Sequence, residues 1–345
     1  MNVVRPQCTK RFVVDLGHHC NINCKFCYHH HEGDLTKVNF TDHDWITEEI
    51  GKGISRGNTW CDFTGGEPTI HPEICQFIDL LNKNNIGSTI ITNGIVNSST
   101  TAKLLDAGLD EFLVSIHGTD NTHDFLTTSG AREHQNAFLS LIYGRIPIRF
   151  NFVMNQFNQK EIFDTAVWMS KWKPSIVNFI NFNPHHEWKV NLKDAEDIIP
   201  GLFITENQLN KSIESLESKG IGVNVRYYPM CRIAEEYRRC VCNDLHVVFD
   251  PYEWDYCIPI KTIEKYLHWG AGATSDTEYK DFPCNECDLQ WICGGINKYF
   301  LEVAGNDCIT GQKISFDHYE DRFYFYYYRQ HNVLTLNHKS IEAAQ

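Results

Sequence analysis

The chain has 345 residues, 42% apolar and 22% charged, with a formal net charge of −13. That is enough apolar material for one large domain plus a smaller one, and it does not fit a disordered chain. The acidic balance, without a Lys/Arg run, argues against a broad nucleic-acid surface, and no apolar run reaches the roughly 18 residues a bilayer-spanning helix needs.

Residues 1–10 lack the hydrophobic core of a signal peptide, so the sequence reads as soluble and cytoplasmic. From residue 11 to about 225, short apolar runs alternate with amphipathic stretches. In chain order the predicted elements are a strand at 11–16, a helix at 42–55, a strand at 59–63, a helix at 72–83 and a strand at 87–92. A helix at 99–107, a strand at 111–116, a helix at 134–141, a strand at 147–154 and a helix at 159–171 follow. The series closes with a strand at 175–182, a helix at 205–219 with Thr205 as its cap and Gly220 as its stop, and a strand at 222–226. Strands alternating with helices predict an α/β fold, here a partial (β/α)6 TIM-like barrel with its chemistry at the C-terminal strand ends. Cys20, Gly65, Asn93 and Ser115 follow or end the first four strands in turn.

Beyond residue 227 cysteines and turn residues become dense, and a hairpin is expected across 247–257 around Pro251 and Tyr252. The aromatic-rich stretch 315–330 reads as a C-terminal helix. The expected domains are 1–226 (barrel), 227–314 (cysteine-rich) and 315–345 (C-terminal helix and tail).

Fourteen cysteines are the unusual count, with three close together near the start and eight between 231 and 308. In a cytosolic chain such clustering points to metal rather than disulfides. Cys20, Cys24 and Cys27 form a C-x3-C-x2-C run directly after a strand, which brings three thiolates onto one face. Three thiolates on a cubane cluster leave one iron open to a ligand. Zinc is the alternative, with His18, His19, His29, His30 or His31 as fourth ligand.

Phe26 supplies the aromatic of C-x3-C-x-aromatic-C, and Thr64-Gly65-Gly66-Glu67-Pro68 follows the second strand. Together these two motifs resemble the radical S-adenosylmethionine superfamily. The resemblance implies a catalytic [4Fe–4S] cluster on Cys20, Cys24 and Cys27, with S-adenosylmethionine chelating the open iron. Reductive cleavage would then give methionine and a 5′-deoxyadenosyl radical that abstracts a substrate hydrogen. It also implies that Gly65, Gly66 and Glu67 meet the methionine end of the cofactor, that Asn93 and Ser115 meet its ribose or carboxylate, that Tyr28 packs near the adenine, and that Phe26 is a further cofactor-binding residue. Arg132 and Arg149 are candidates for the carboxylate. His117 stands where relatives often have Asp.

Cys284-x2-Cys287-x5-Cys293, with Cys308 downstream and Cys242 and Cys257 flanking the expected hairpin, resembles the SPASM extension that carries auxiliary clusters. Tyr252 replaces the usual hairpin Gly and Asn297 a usual Cys. The expectation is two auxiliary [4Fe–4S] clusters, one on Cys231, Cys240, Cys242 and Cys257 and the other on Cys284, Cys287, Cys293 and Cys308. A single cluster, as in the shortened twitch version, is the rival. The resemblance further implies a small-molecule or peptide substrate and a flavodoxin- or ferredoxin-type electron donor. With about ten residues before its first strand, the chain would borrow a leader-binding partner if it matures peptides. Readings of other classes are a non-catalytic iron–sulfur electron carrier and a zinc-binding interaction module.

Overall fold

A computed structural model describes residues 11–27, 29, 36–182, 197–241, 278–279, 283–289, 293, 295–305 and 309–311. Seven strands lie side by side in chain order: β1 (Arg11–Asp15), β2 (Trp60–Thr64), β3 (Gly87–Thr92), β4 (Glu111–Ser115), β5 (Ile148–Met154), β6 (Ile176–Asn181) and β7 (Gly222–Arg226). Every neighbouring pair is parallel. The crossovers carry helices α1 (His43–Ser55), α2 (Ile74–Lys83), α3 (Ser98–Asp106), α4 (Asp120–Leu126), α5 (Ala131–Ile142), α6 (Ile162–Ser170) and α7 (Leu202–Glu217). This is the expected partial barrel, with seven strands. A short antiparallel pair, β8 (Glu278–Tyr279) and β9 (Ile296–Asn297), and helix α8 (Lys298–Ala304) follow. The hairpin expected at 247–257 and the helix expected at 315–330 lie outside the described residues. No helix among the described residues is long and apolar enough to cross a membrane.

The two faces of the sheet differ in chemistry because side chains alternate along each strand. Phe12, Val14, Phe63, Phe112, Val114, Phe150, Phe152 and Phe179 share one core with Ile46, Ile50, Phe77, Leu81, Phe138 and Leu139 from the helices. Burying each such side chain contributes roughly 1.5–3 kcal/mol. The opposite parity is polar. At the N-terminal end of the strands, Arg11 Nη1 pairs with Asp62 Oδ1 at 2.5 Å and Arg149 Nε donates to Glu111 Oε1 at 2.7 Å. Thr89 joins the two pairs, accepting from Arg11 at 3.2 Å and donating to Glu111 at 2.9 Å. Two guanidiniums and two carboxylates thus close a charge-balanced floor.

Side-chain caps set two of the helix starts. Asp42 caps α1 by accepting from the Asp44 N–H at 2.9 Å, and Asn97 caps α3 by accepting from the Thr100 N–H at 2.8 Å. Two expectations need correction. Helix α7 starts at Leu202 after Gly201, so Thr205 is inside it. The Thr205 hydroxyl bonds Leu202 O at 3.0 Å and lies 3.0 Å from the Tyr228 hydroxyl, tying the helix to the segment after β7. Helix α4 has no counterpart in the sequence reading, because seven mostly polar residues that bury only His123 and Leu126 carry too little periodicity to find.

Candidate active site

The loop after β1 is built backbone to backbone. Leu16 N–H donates to Thr64 O at 2.9 Å, His18 N–H to Asn39 O at 3.0 Å, and Cys27 N–H back to Cys24 O at 3.1 Å. The Gly65–Glu67 loop runs against it, with Gly66 N–H donating to Gly17 O at 2.7 Å and Glu67 N–H to His19 O at 2.9 Å. This contact gives both glycines a reason. A Cβ on Gly65, which has φ +133°, would sit 2.4 Å from Gly17 O, and one on Gly66 would sit 2.2 Å from His19 O. Gly66→Ala is therefore expected to cost about 1–3 kcal/mol and to lower bound iron, read by thermal melting and metal analysis. A variant matching the parent in both would refute the close approach.

Cys20, Cys24 and Cys27 pack with Ile22 and Ile95 at this mouth of the barrel. Burial, then the charge of Glu67, pushes the Cys20 thiol up to about 12. Burial followed by the neighbouring thiols pushes Cys24 up, and burial pushes Cys27 up. Cys20 is buried and Cys24 and Cys27 are half-buried; thiols that repel one another as anions are stabilised as thiolates by a cation, which fits a metal cluster as their resident.

Glu67 is 2% exposed and anchors the site. Its Oε1 accepts from Thr69 N–H at 3.1 Å, Thr69 Oγ1 at 2.6 Å and Thr92 Oγ1 at 2.8 Å, and its Oε2 accepts from Asn93 N–H at 2.7 Å. Burial raises its pKa, against the lowering by these bonds. Asn93 is also committed: Nδ2 donates to Asn21 Oδ1 at 2.7 Å and reaches Cys20 Sγ at 3.8 Å, while Oδ1 accepts from Ile95 N–H at 2.8 Å. Expected as cofactor contacts, both residues hold the thiolate loop and the end of β3 in this structure. Ser115 ends β4 on the polar parity, opposite Asn151 of β5.

Phe26 sets its ring edge-on to His117 at 4.6 Å. His117 is structural: its Nδ1 accepts from Val153 N–H at 3.1 Å and its carbonyl from Asn158 Nδ2 at 3.0 Å. Burial, then Arg132, lowers its pKa to about 3, keeping the imidazole neutral. Arg132 is not brought to the thiolate loop. Its guanidinium donates to Gly118 O, pairs with Asp120 at 3.3 Å and stacks over Trp168 of α6 at 4.3 Å. Arg149 belongs to the ionic floor. Tyr28 lies outside the described residues.

Two features were missed in the sequence. Gln135 of α5 donates to Asn93 O at 2.6 Å and Ser115 O at 2.9 Å, bridging the ends of β3 and β4. Asn151, Asn178 and Asn224 occupy one register across β5, β6 and β7. They form an amide ladder, Asn224 Nδ2 donating to Asn178 Oδ1 and Asn178 Nδ2 to Asn151 Oδ1, each at 2.9 Å. Part of the signal was present in β5, where Arg149 and Asn151 alternate, and in β7, where Asn224 and Arg226 do, but Asn178 of β6 stands between Ile176 and Ile180 on its own parity.

Among the later cysteines, Cys231, Cys284, Cys287 and Cys293 line one apolar cavity with Leu289 and Ile296. Gly295 N–H donates to Cys293 Sγ at 3.4 Å. Cys231 had been expected with Cys240, but the structure sets it against the C-x2-C-x5-C run. Cys240 instead places its thiol 3.5 Å from Glu217 Oε1. Cys242, Cys257 and Cys308 lie outside the described residues.

Residues 14–166 match the family model described as Radical SAM superfamily. A probable GTP 3′,8-cyclase from Sulfolobus acidocaldarius is 27% identical over 50% of this chain and 55% of its own length. The chain thus spans about half of that relative. PqqA peptide cyclase from Gluconobacter oxydans is 23% identical over 92% of this chain and 93% of its own length. Among solved structures, Streptococcus suis SuiB bound to its precursor peptide SuiA superposes with a TM-score of 0.50 at 15% identity, covering 64% of this chain and 49% of that one. This likeness concerns the fold.

Proposed function

Because this chain is an enzyme of the radical SAM superfamily, with its matched domain at residues 14–166, we propose that it cleaves S-adenosylmethionine reductively and abstracts a hydrogen atom from a peptide or small-molecule substrate. The superfamily fold implies S-adenosylmethionine and a [4Fe–4S] cluster. The observation that carries the reading is the set of three thiols packed together beside the Gly65–Glu67 loop, Cys20 buried and Cys24 and Cys27 half-buried. Cys20, Cys24 and Cys27 would hold the cluster. When bound, cluster and cofactor supply homolysis of the sulfonium C–S bond on receipt of one electron, giving methionine and a 5′-deoxyadenosyl radical.

The chain's own residues do the rest. Glu67, Asn93, Asn21 and Gln135 fix the thiolate loop and the strand ends around it. Phe26 and neutral His117 form a packed wall. Ser115 stands on the polar parity with its hydroxyl available. Beyond it, the asparagine ladder offers amide donors and acceptors above a floor whose charges are already balanced. That surface suits a neutral, amide-bearing substrate segment, since an uncompensated charge would find no partner there. The similarity to PqqA peptide cyclase, which matches across 92% of this chain, supports a peptide. A partner supplying leader recognition and a flavodoxin- or ferredoxin-type donor complete the reading.

Cys231, Cys284, Cys287 and Cys293 give the four thiolates that a fully ligated auxiliary [4Fe–4S] cluster needs. Such a cluster would relay electrons. Cys242, Cys257 and Cys308, with Cys240, are the remaining candidates for a second.

The test is direct. Protein reconstituted anaerobically with iron and sulfide, reduced with dithionite and given S-adenosylmethionine is expected to release methionine and 5′-deoxyadenosine, measured by mass spectrometry. Release no faster than in protein-free controls would reject the activity.

A further inference from the structure

The histidines flanking the thiolate loop have no part in the proposed cleavage chemistry. His18 precedes Cys20, and His29 follows Cys27. The fold folds these two ends back on each other: the His18 and His29 rings lie 4.5 Å apart, tilted by 33°. Asp15, the last residue of β1, meets them. One ligand atom from each of Asp15, His18 and His29 falls within 4.8 Å of the others. Asp15 is 9% exposed and His29 is 5% exposed, with His18 half-buried.

We propose that Asp15, His18 and His29 form a second, mononuclear site for a divalent first-row transition metal ion, separate from the cysteine-held cluster. Two imidazole nitrogens and one carboxylate oxygen are a donor set for zinc and its neighbours in the row. Bonds of about 2.0–2.2 Å set ligands of one ion roughly 3.5 Å apart, so side-chain adjustments of about an ångström close the site. The carboxylate is already oriented, because Asp15 Oδ1 accepts from the Gly17 N–H at 2.8 Å, the kind of outer contact that fixes a metal ligand. The His18 backbone is fixed as well, through its N–H bond to Asn39 O at 3.0 Å.

The ion would staple the two ends of the thiolate loop to the tip of β1. Its remaining coordination positions would take water. The site needs no cysteine, so it stands whether the thiolate loop carries iron and sulfide or another metal.

The probe is Co2+ alone, added anaerobically to the iron–sulfur-loaded protein, whose thiolates are occupied. The expected result is about one bound cobalt per chain after gel filtration, with visible d–d bands and no thiolate-to-cobalt charge-transfer band. His18→Gln and His29→Gln are each expected to weaken uptake about 100-fold while iron and sulfide content and the melting temperature hold, which shows that the variants fold. The Cys20→Ala/Cys24→Ala/Cys27→Ala variant is expected to keep the same cobalt spectrum. Three outcomes would overturn the site: no stoichiometric cobalt in the loaded protein, uptake unchanged in both histidine variants, or a charge-transfer band that vanishes with the three cysteines. The last would mean that the histidines serve a cysteine-bound metal.

Discussion

Replacing Cys20, Cys24 and Cys27 together by Ala is expected to bring 5′-deoxyadenosine formation down to the uncatalysed background, a loss of at least ~10^6-fold. Iron should fall by about four atoms per chain, the content of one cubane, while auxiliary iron stays. The size follows from the site. The three thiols share one apolar cluster with Ile22 and Ile95, and no other described cysteine is part of that group. Their removal leaves the scaffold intact, because Glu67, Asn93 and Gln135 hold the strand ends through bonds that, apart from the long Asn93–Cys20 contact, use no thiol. Liquid chromatography with mass spectrometry measures the product, and iron analysis measures the cluster. Activity surviving in the triple variant would place the chemistry elsewhere.

Glu111→Ala should destabilise the barrel by about 3–5 kcal/mol. Glu111 is 5% exposed, and its Oε1 accepts from Arg149 Nε at 2.7 Å and Thr89 Oγ1 at 2.9 Å, with Arg11 at 3.7 Å. Removing it leaves Arg149 with Asp62 at 3.8 Å as its remaining acidic partner in the floor. The floor then carries two buried guanidiniums against one carboxylate, and a buried charge without compensation is the expensive case. Denaturant unfolding checks this. A loss below about 1 kcal/mol would mean that water or a shifted side chain compensates the floor.

The strands were legible because each is a short apolar or alternating run bounded by turn residues, and all seven fall within a residue or so of their expected bounds. The thiolate loop and its glycine partner were legible because their chemistry is local in sequence. What the sequence hid is what forms across strands or across long separations. The asparagine ladder joins positions 151, 178 and 224, whose equivalence rests on a register that only pairing defines. Gln135 looks like any polar helix residue until α5 packs against the ends of β3 and β4. The roles of Gly65 and Gly66 looked like room for a ligand, and the structure adds a nearer cause in the carbonyls of Gly17 and His19. The grouping of Cys231 with a run more than fifty positions downstream was invisible for the same reason, since spacing along the chain favoured Cys240. Arg132, a candidate for the cofactor carboxylate by sequence, meets the Gly118 carbonyl, Asp120 and the Trp168 indole, contacts that its position in the sequence did not reveal.

The proposed chemistry depends on one iron left open by three thiolates. Electron paramagnetic resonance of the dithionite-reduced, reconstituted protein tests it most directly, recorded before and after adding S-adenosylmethionine. A cluster signal that shifts on addition, in the parent and not in the Cys20→Ala/Cys24→Ala/Cys27→Ala variant, is the predicted result. A reduced-cluster spectrum that the nucleotide leaves unchanged would contradict it.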